Sequence, residues 1–323
     1  MPLRLLDTHA HLISDDWERY AARPFTPDLP VPDRPAYTMT AEQLLALMDE
    51  FGVTNACLVQ RGHVYGYDNS YIIDSAARFP DRFHPVVILD TADPETPSQY
   101  RRMVEENGVC GFRMANSRPW LLDTAWIASP TAMQVWQACA DLGTPMTVIV
   151  FDNQLSWVLP LIKVIAGMYP QLQIILDHGG MEYGISQYEV ALREAAGEEV
   201  HMPPPPHFGI DTSIGIFEDV PNVHFKITEI NFERLIKAGM RSARLIRRMV
   251  DSFGAERMVW GSDIGQSMLW TYAEKVAMAE EATAFLDADE AYAMLHGNAA
   301  RLYGLAGAEK RLPSWNAAGR GAA

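Results

Sequence analysis

The chain has 323 residues, 48% of them hydrophobic and 21% charged, with a formal net charge of −15. That length and apolar content suit one large globular domain or two modest ones with ample core, and they exclude a disordered chain. The acidic balance and the lack of a Lys/Arg-rich run exclude a phosphate-tracking surface, so no nucleic-acid partner is expected.

The first strand predicted is "LRLLDTHAH", whose His9 and His11 project to one face of an extended chain. A long loop over residues 15–39 follows, carrying five prolines and little periodicity. "TAEQLLALMDEFG" reads as a helix with a Thr cap, an apolar face of Leu44, Leu45, Met48 and Phe51, and a closing glycine. Strands are then expected at "NACLVQ", "FHPVVILD", "VCGFRM", "PMTVIVF", "QIILDH", "VHFKIT" and "RMVWGSD". Each is short, rich in Val, Ile or Leu, and lacks clean polar alternation, as strands buried on both faces do. Helical stretches separate them: "NSYIIDSAARFP", "TPSQYRRMVEENG", "SPTAMQVWQACADLG", "LSWVLPLIKVIAGMYP" (with a bend expected near Pro160), "NFERLIKAGMRSARLIRRMVDSFG" and the region from Trp270 to Leu295.

Eight strand–helix alternations predict a (β/α)8 TIM barrel, an α/β fold of one domain over residues 1–305, with long loops after strands 1 and 6. The second of these loops, residues 183–222, contains "HMPPPPHFGIDTSIGIF" and is open to reading as lid, specificity element or subunit contact. Residues 306–323 read as a poorly ordered tail. No dinucleotide-binding glycine pattern follows strand 1. The apolar runs are strand-sized, so no membrane span is expected, and no signal-peptide pattern opens the chain. Cys57, Cys110 and Cys139 are widely spaced in apolar contexts and read as free thiols, which points to the cytoplasm.

In such a barrel, side chains at the C-terminal strand ends meet at one mouth. Those ends offer His9 and His11, then Gln60, Arg61 and His63, then Arg113 with Asn116 and Arg118, then Asp177 and His178, and finally Ser262 and Asp263. Imidazoles and carboxylates gathered there suit a divalent metal or acid–base chemistry. Alternatives stay open for several of them. His178 before two glycines can cap a helix, Arg113 can form a structural ion pair, and Lys226 and Glu229 can reach the mouth or pair within the wall. His63, His201 and His207 read as loop surface, and "GNAARLYG" with Asn298 and Arg301 reads as a helix docking on the barrel.

The order "DTHAH", "LVQ…YGYDNSY", "LDHGG", "VWGSD" and "GNAARLYG", running from Leu5 to Gly304, resembles the amidohydrolase superfamily and its amidohydrolase-2 branch. Metal-dependent members add a histidine at the end of strand 5, where this chain has "TPMTVIVFDNQL". Within the branch, the arginines and that gap resemble the 2-pyrone-4,6-dicarboxylate lactonases and related lactonases. The resemblance implies hydrolysis of a small carboxylated lactone. Asp263 would be the general base, His9, His11 and His178 would polarise the carbonyl, and Arg113, Arg118 and Arg61 would hold a small anionic substrate. It implies either no cofactor or one divalent metal, zinc foremost, on His9, His11, His178 and Asp263, with Asp152 as a further candidate. Two other readings use the same site: a metal-dependent nonoxidative decarboxylase of an aromatic or enoic acid, and a lactone isomerase or hydratase. A homo-oligomer is compatible with all of these.

Overall fold

In the computed structural model, which describes residues 4–25, 37–117, 123–150, 154–180, 197, 210–237, 239–266 and 270–305, eight parallel strands follow one another in chain order around a barrel. They are β1 Leu5–Ala10, β2 Val53–Val59, β3 Phe83–Val87, β4 Gly111–Met114, β5 Met146–Val148, β6 Ile174–Leu176, β7 Val223–Ile227 and β8 Met258–Trp260. All eight were legible as apolar runs, though the runs extend past the ladders at the C-terminal ends, where polar residues take over. The barrel closes where the chain just after β8 meets β1. Ala10 bridges Ile264, the Asp263 N–H donates to the His9 carbonyl at 2.7 Å, and the His11 N–H donates to Ile264 at 2.9 Å.

Two apolar clusters result. Inside the barrel, Leu6, Cys57, Val59, Val86, Ile175 and Val259 pack on one another and on Ala299, Leu302 and Tyr303 from the last helical turn, which closes the barrel floor. The opposite faces of the strands, Leu58, Phe112, Val148, Phe225 and Trp260 among them, pack under the helices in a larger outer core. The two-sided burial explains why the strands read as continuous apolar runs.

The first helix forms where its cap and closing glycine indicated. Thr40 caps Ala41–Phe51 with a reciprocal capping box, and Gly52 ends it at φ 72. Ser129 caps Pro130–Leu142. The helix Leu155–Met168 runs on through Pro160. The stretch read as one helix after β7 is two, Glu229–Lys237 and Ser242–Phe253. Gly239 adopts φ 69 between them, and the Met240 N–H turns back to the Leu235 carbonyl. A left-handed residue ends a helix whatever the apolar spacing beyond it. "GNAARLYG" docks as expected: the Asn298 amide donates to the carbonyls of Ala255 and Met258, both at 2.8 Å. Among the described residues no helix is long and apolar enough to cross a membrane, and all three cysteines are free. The predicted tail 306–323 and most of the loop after β6 lie outside the described residues.

Candidate active site

The upper interior of the barrel is polar and buried. Arg113 from β4, Asp177 just past β6, Lys226 from β7 and His9 from β1 are all buried there, above the apolar floor. Gly261, just past β8, makes the room: a Cβ at that position would lie 2.5 Å from the Cβ of His9. Above them stand His11, His178 and Asp263.

Three atoms converge. His9 Nε2 lies 3.2 Å from His11 Nε2, and Asp263 Oδ1 lies 3.5 Å from the first and 3.3 Å from the second. The expectation that the two imidazoles share a face holds, with ring centroids 4.8 Å apart. His11 Nδ1 is 2.8 Å from the Val59 carbonyl, which can only accept, so Nδ1 carries the hydrogen and Nε2 presents a lone pair. Burial pushes His11 well below its ordinary value and, against the opposing pull of Asp177, pushes His9 down to about 3, so both rings are neutral. Asp263 is 1% exposed, and among the described residues neither carboxylate oxygen has a hydrogen-bond donor. A buried carboxylate facing two imidazole nitrogens is expensive without a cation among them. Separations of 3.2 to 3.5 Å also suit neighbouring ligands that each sit roughly 2.0–2.2 Å from one small ion. His9, His11 and Asp263 therefore fit a divalent cation. A second group, His9, Asp177 and His178, also lies close enough to do so.

His178 sits at φ 54 in the turn Asp177–Gly180, with Nδ1 2.7 Å from the Thr228 hydroxyl and its ring 5.3 Å from that of His9. Burial lowers it to about 3, against the pull of Asp263 and Asp177. Asp263 itself has φ 53. Two non-glycine residues in the left-handed region, both at the mouth, mark local strain held by their surroundings. For Asp263 those surroundings start at Asp7, which accepts from the Ser262 N–H at 2.8 Å, the Ser262 hydroxyl at 2.5 Å, Tyr272 at 3.1 Å and the His9 N–H at 3.0 Å.

The arginines divide. Arg113 donates through Nε to Asp177 at 2.8 Å, so the structural pairing left open for it is present, directly beneath the mouth. Asp177 also lies 3.0 Å from Lys226 Nζ and 3.4 Å from His9 Nδ1. Burial alone would raise its carboxyl, but Lys226 and Arg113, with His9, hold it well below the usual carboxylate range. Arg61, at the end of β2, hydrogen-bonds Tyr37 and feels both Asp263 and Arg113, and its Nε is buried without a partner among the described residues. The Tyr37 hydroxyl is in turn within 3.0 and 3.1 Å of the Gly265 and Gln266 carbonyls.

His63 departs from the surface reading. It is partly buried on the short helix Gly62–Tyr65, and desolvation with Arg61 and Arg113 nearby lowers it to about 3. Lys226 belongs to the interior, whereas Glu229 forms a buried ion pair with Lys275. Arg118, Asp152, His201 and His207 lie outside the described residues. Asp7 and Tyr37 were not singled out from the sequence; Asp177 was placed at the mouth without a role, and Lys226 was left open between the mouth and a pair within the wall. Strand parity from Arg113, Ile175 and Val259 places Asp177 and Lys226 inside, but parity counts only once the sheet register is known.

Residues 6–305 match the amidohydrolase family. A curated relative, the L-fucono-1,5-lactonase of Burkholderia ambifaria, is 26% identical over 253 residues, covering 73% of this chain and 75% of that one. A probable 2-pyrone-4,6-dicarboxylic acid hydrolase from Acinetobacter baumannii, solved with citric acid bound, superposes with a TM-score of 0.69 at 17% identity, over 93% of this chain and 99% of that one. An amidohydrolase from Burkholderia multivorans with bound zinc superposes with a TM-score of 0.65 at 19% identity, over 93% and 99%. At such identities the structural likeness establishes the barrel fold.

Proposed function

Because the chain belongs to the amidohydrolase family of enzymes, we propose that it hydrolyses a small lactone carrying a carboxylate. The single observation that carries the reading is the Asp263 carboxylate, buried, unpartnered among the described residues and within 3.5 Å of two neutral imidazoles. Opening a cyclic ester needs an activated water, a polarised carbonyl and a stabilised oxyanion. Asp263 is suited to take the water's proton, since no donor among the described residues occupies its oxygens. His178, with its Nδ1 engaged by Thr228, is placed to meet the carbonyl oxygen from the β6 side of the mouth.

A divalent cation, zinc foremost, held by His9, His11 and Asp263 would polarise the carbonyl and acidify water when bound. The residues do the rest. Arg61 and Arg113 bring two guanidinium groups to the same mouth, where they favour an anionic group on the ring. Asp177 matches one of those charges, and Arg61 keeps a buried Nε with no partner among the described residues. The similarity to L-fucono-1,5-lactonase supports a lactone as the electrophile. Free cysteines suit a cytoplasmic location in this reading.

The test is a panel of carboxylated and neutral sugar lactones incubated with metal-analysed protein, following proton release, with CO2 release from aromatic and enoic acids measured in parallel. Acid release from a lactone, faster for carboxylated rings, is the expected result. CO2 release without lactone opening would replace the proposal with a decarboxylase.

A further inference from the structure

Beneath the His/His/Asp group lie Asp177 and Lys226, which the proposed function does not use, joined to Arg113, which it does. Asp177 and Lys226 have fully buried side chains, and Arg113 is nearly so. Burying three charged groups in a barrel is costly, and replacing such a set by apolar residues is often neutral or stabilising. Its placement points to a task. Asp177 Oδ1 stands 3.4 Å from His9 Nδ1, the ring nitrogen that faces away from His11 and Asp263.

We propose that Asp177 is a positioning residue that holds His9 in its Nδ1–H form, leaving Nε2 as a lone pair aimed at the space shared with His11 and Asp263. The inference rests on the reading that these three residues take a cation. Lys226 Nζ is also near His9 Nδ1, at 3.3 Å, and would compete by donating to it. The ammonium has three N–H groups and lies 3.0 Å from Asp177 Oδ1, an oxygen with no hydrogen-bond partner among the described residues, so it can serve the carboxylate while Nδ1 turns its own hydrogen to that same oxygen. Arg113 fixes the other oxygen at 2.8 Å. The two cations therefore hold the carboxylate in place beside the ring, and the carboxylate decides which ring nitrogen carries the hydrogen. With His11 set the same way by the Val59 carbonyl, both Nε2 atoms and Asp263 Oδ1 are acceptors, a set that a cation satisfies and a neutral hydrogen-bond network does not.

Two measurements test this, neither depending on turnover. In metal-free wild-type protein with 15N-labelled histidine, the resonances assigned to His9 through their loss in His9→Ala should show hydrogen on Nδ1. Hydrogen on Nε2 overturns the proposal. Asp177→Asn puts an amide that can donate beside Nδ1, which favours the wrong tautomer. Its affinity for zinc, measured by competition with a chelator, should fall about 10- to 100-fold. In a double-mutant cycle with His9→Ala, that loss should vanish. Asp177→Asn that folds and binds zinc as wild type does, or an equal loss in the His9→Ala background, overturns the proposal. Wild-type protein that binds no zinc would defeat the cation reading alone and leave the resonance measurement to decide here.

Discussion

The Asp263 amide donates to the His9 carbonyl at 2.7 Å, stitching the end of the last strand to the first and setting the carboxylate of one beside the imidazole of the other. The same contact closes the barrel and assembles the site, so the geometry of Asp263 is fixed by backbone and does not depend on its own side chain.

Asp263→Asn should therefore fold. Asn tolerates φ 53 well, and the change removes a buried charge with no donor among the described residues. We expect turnover to fall at least about 10²- to 10⁴-fold, the usual contribution of a general base, with Tm unchanged or raised. A variant retaining most of its lactone hydrolysis would remove Asp263 from the chemistry.

Arg61→Met and Arg113→Met should part ways. Arg61 Nε has no partner among the described residues, so its loss should raise KM for a carboxylated lactone about tenfold or more, spare a neutral analogue, and change Tm little. Arg113→Met leaves Asp177 with one fewer cation in a buried interior and should cost about 3–5 kcal/mol of stability. Denaturant melts alongside steady-state kinetics on both lactones check the split.

Zinc should stabilise the fold. A ligand bound to the native state at 100 times its Kd adds about 2.7 kcal/mol, and prior chelation should remove that increment together with activity. His11→Ala should abolish the thermal shift while Arg61→Met keeps it. An equal shift in His11→Ala would place the cation elsewhere.

Metal-free protein should lose stability as pH falls from about 6.5. His9 and His178 are buried with values near 3, against an ordinary 6.5, so between those limits the unfolded chain binds more protons and acid favours unfolding. Each group contributes about 2 kcal/mol of loss between pH 6.5 and 5. Asp177, held low, adds its own loss only below its ordinary 3.8. Asp7, raised chiefly by burial, works in the opposite sense above its ordinary 3.8, because the native state holds that proton better. Urea midpoints at pH 7, 6 and 5 should fall steadily, and a flat series would show that these imidazoles are not buried neutral.

The strands, the caps and the mouth residues could be read from the chain because each has a local cause. Two-sided burial makes β1–β8 apolar runs, Thr40 and Gly52 bracket a helix by their own hydrogen bonds and φ, and residues just past strand ends must face the mouth. His9, His11, His178, Arg113 and Asp263 were legible on those grounds. Arg61's buried Nε, His63's place beside the arginines and the Asp177–Lys226–Arg113 cluster were not. Each depends on which residue of a distant strand lies at the same height, and on how little water reaches it. Spacing along one strand says which way a side chain points. Whether the charge it carries is solvated, paired or aimed at a neighbouring ring is settled only when eight strands close around it, because burial and ion pairing are properties of the assembled interior.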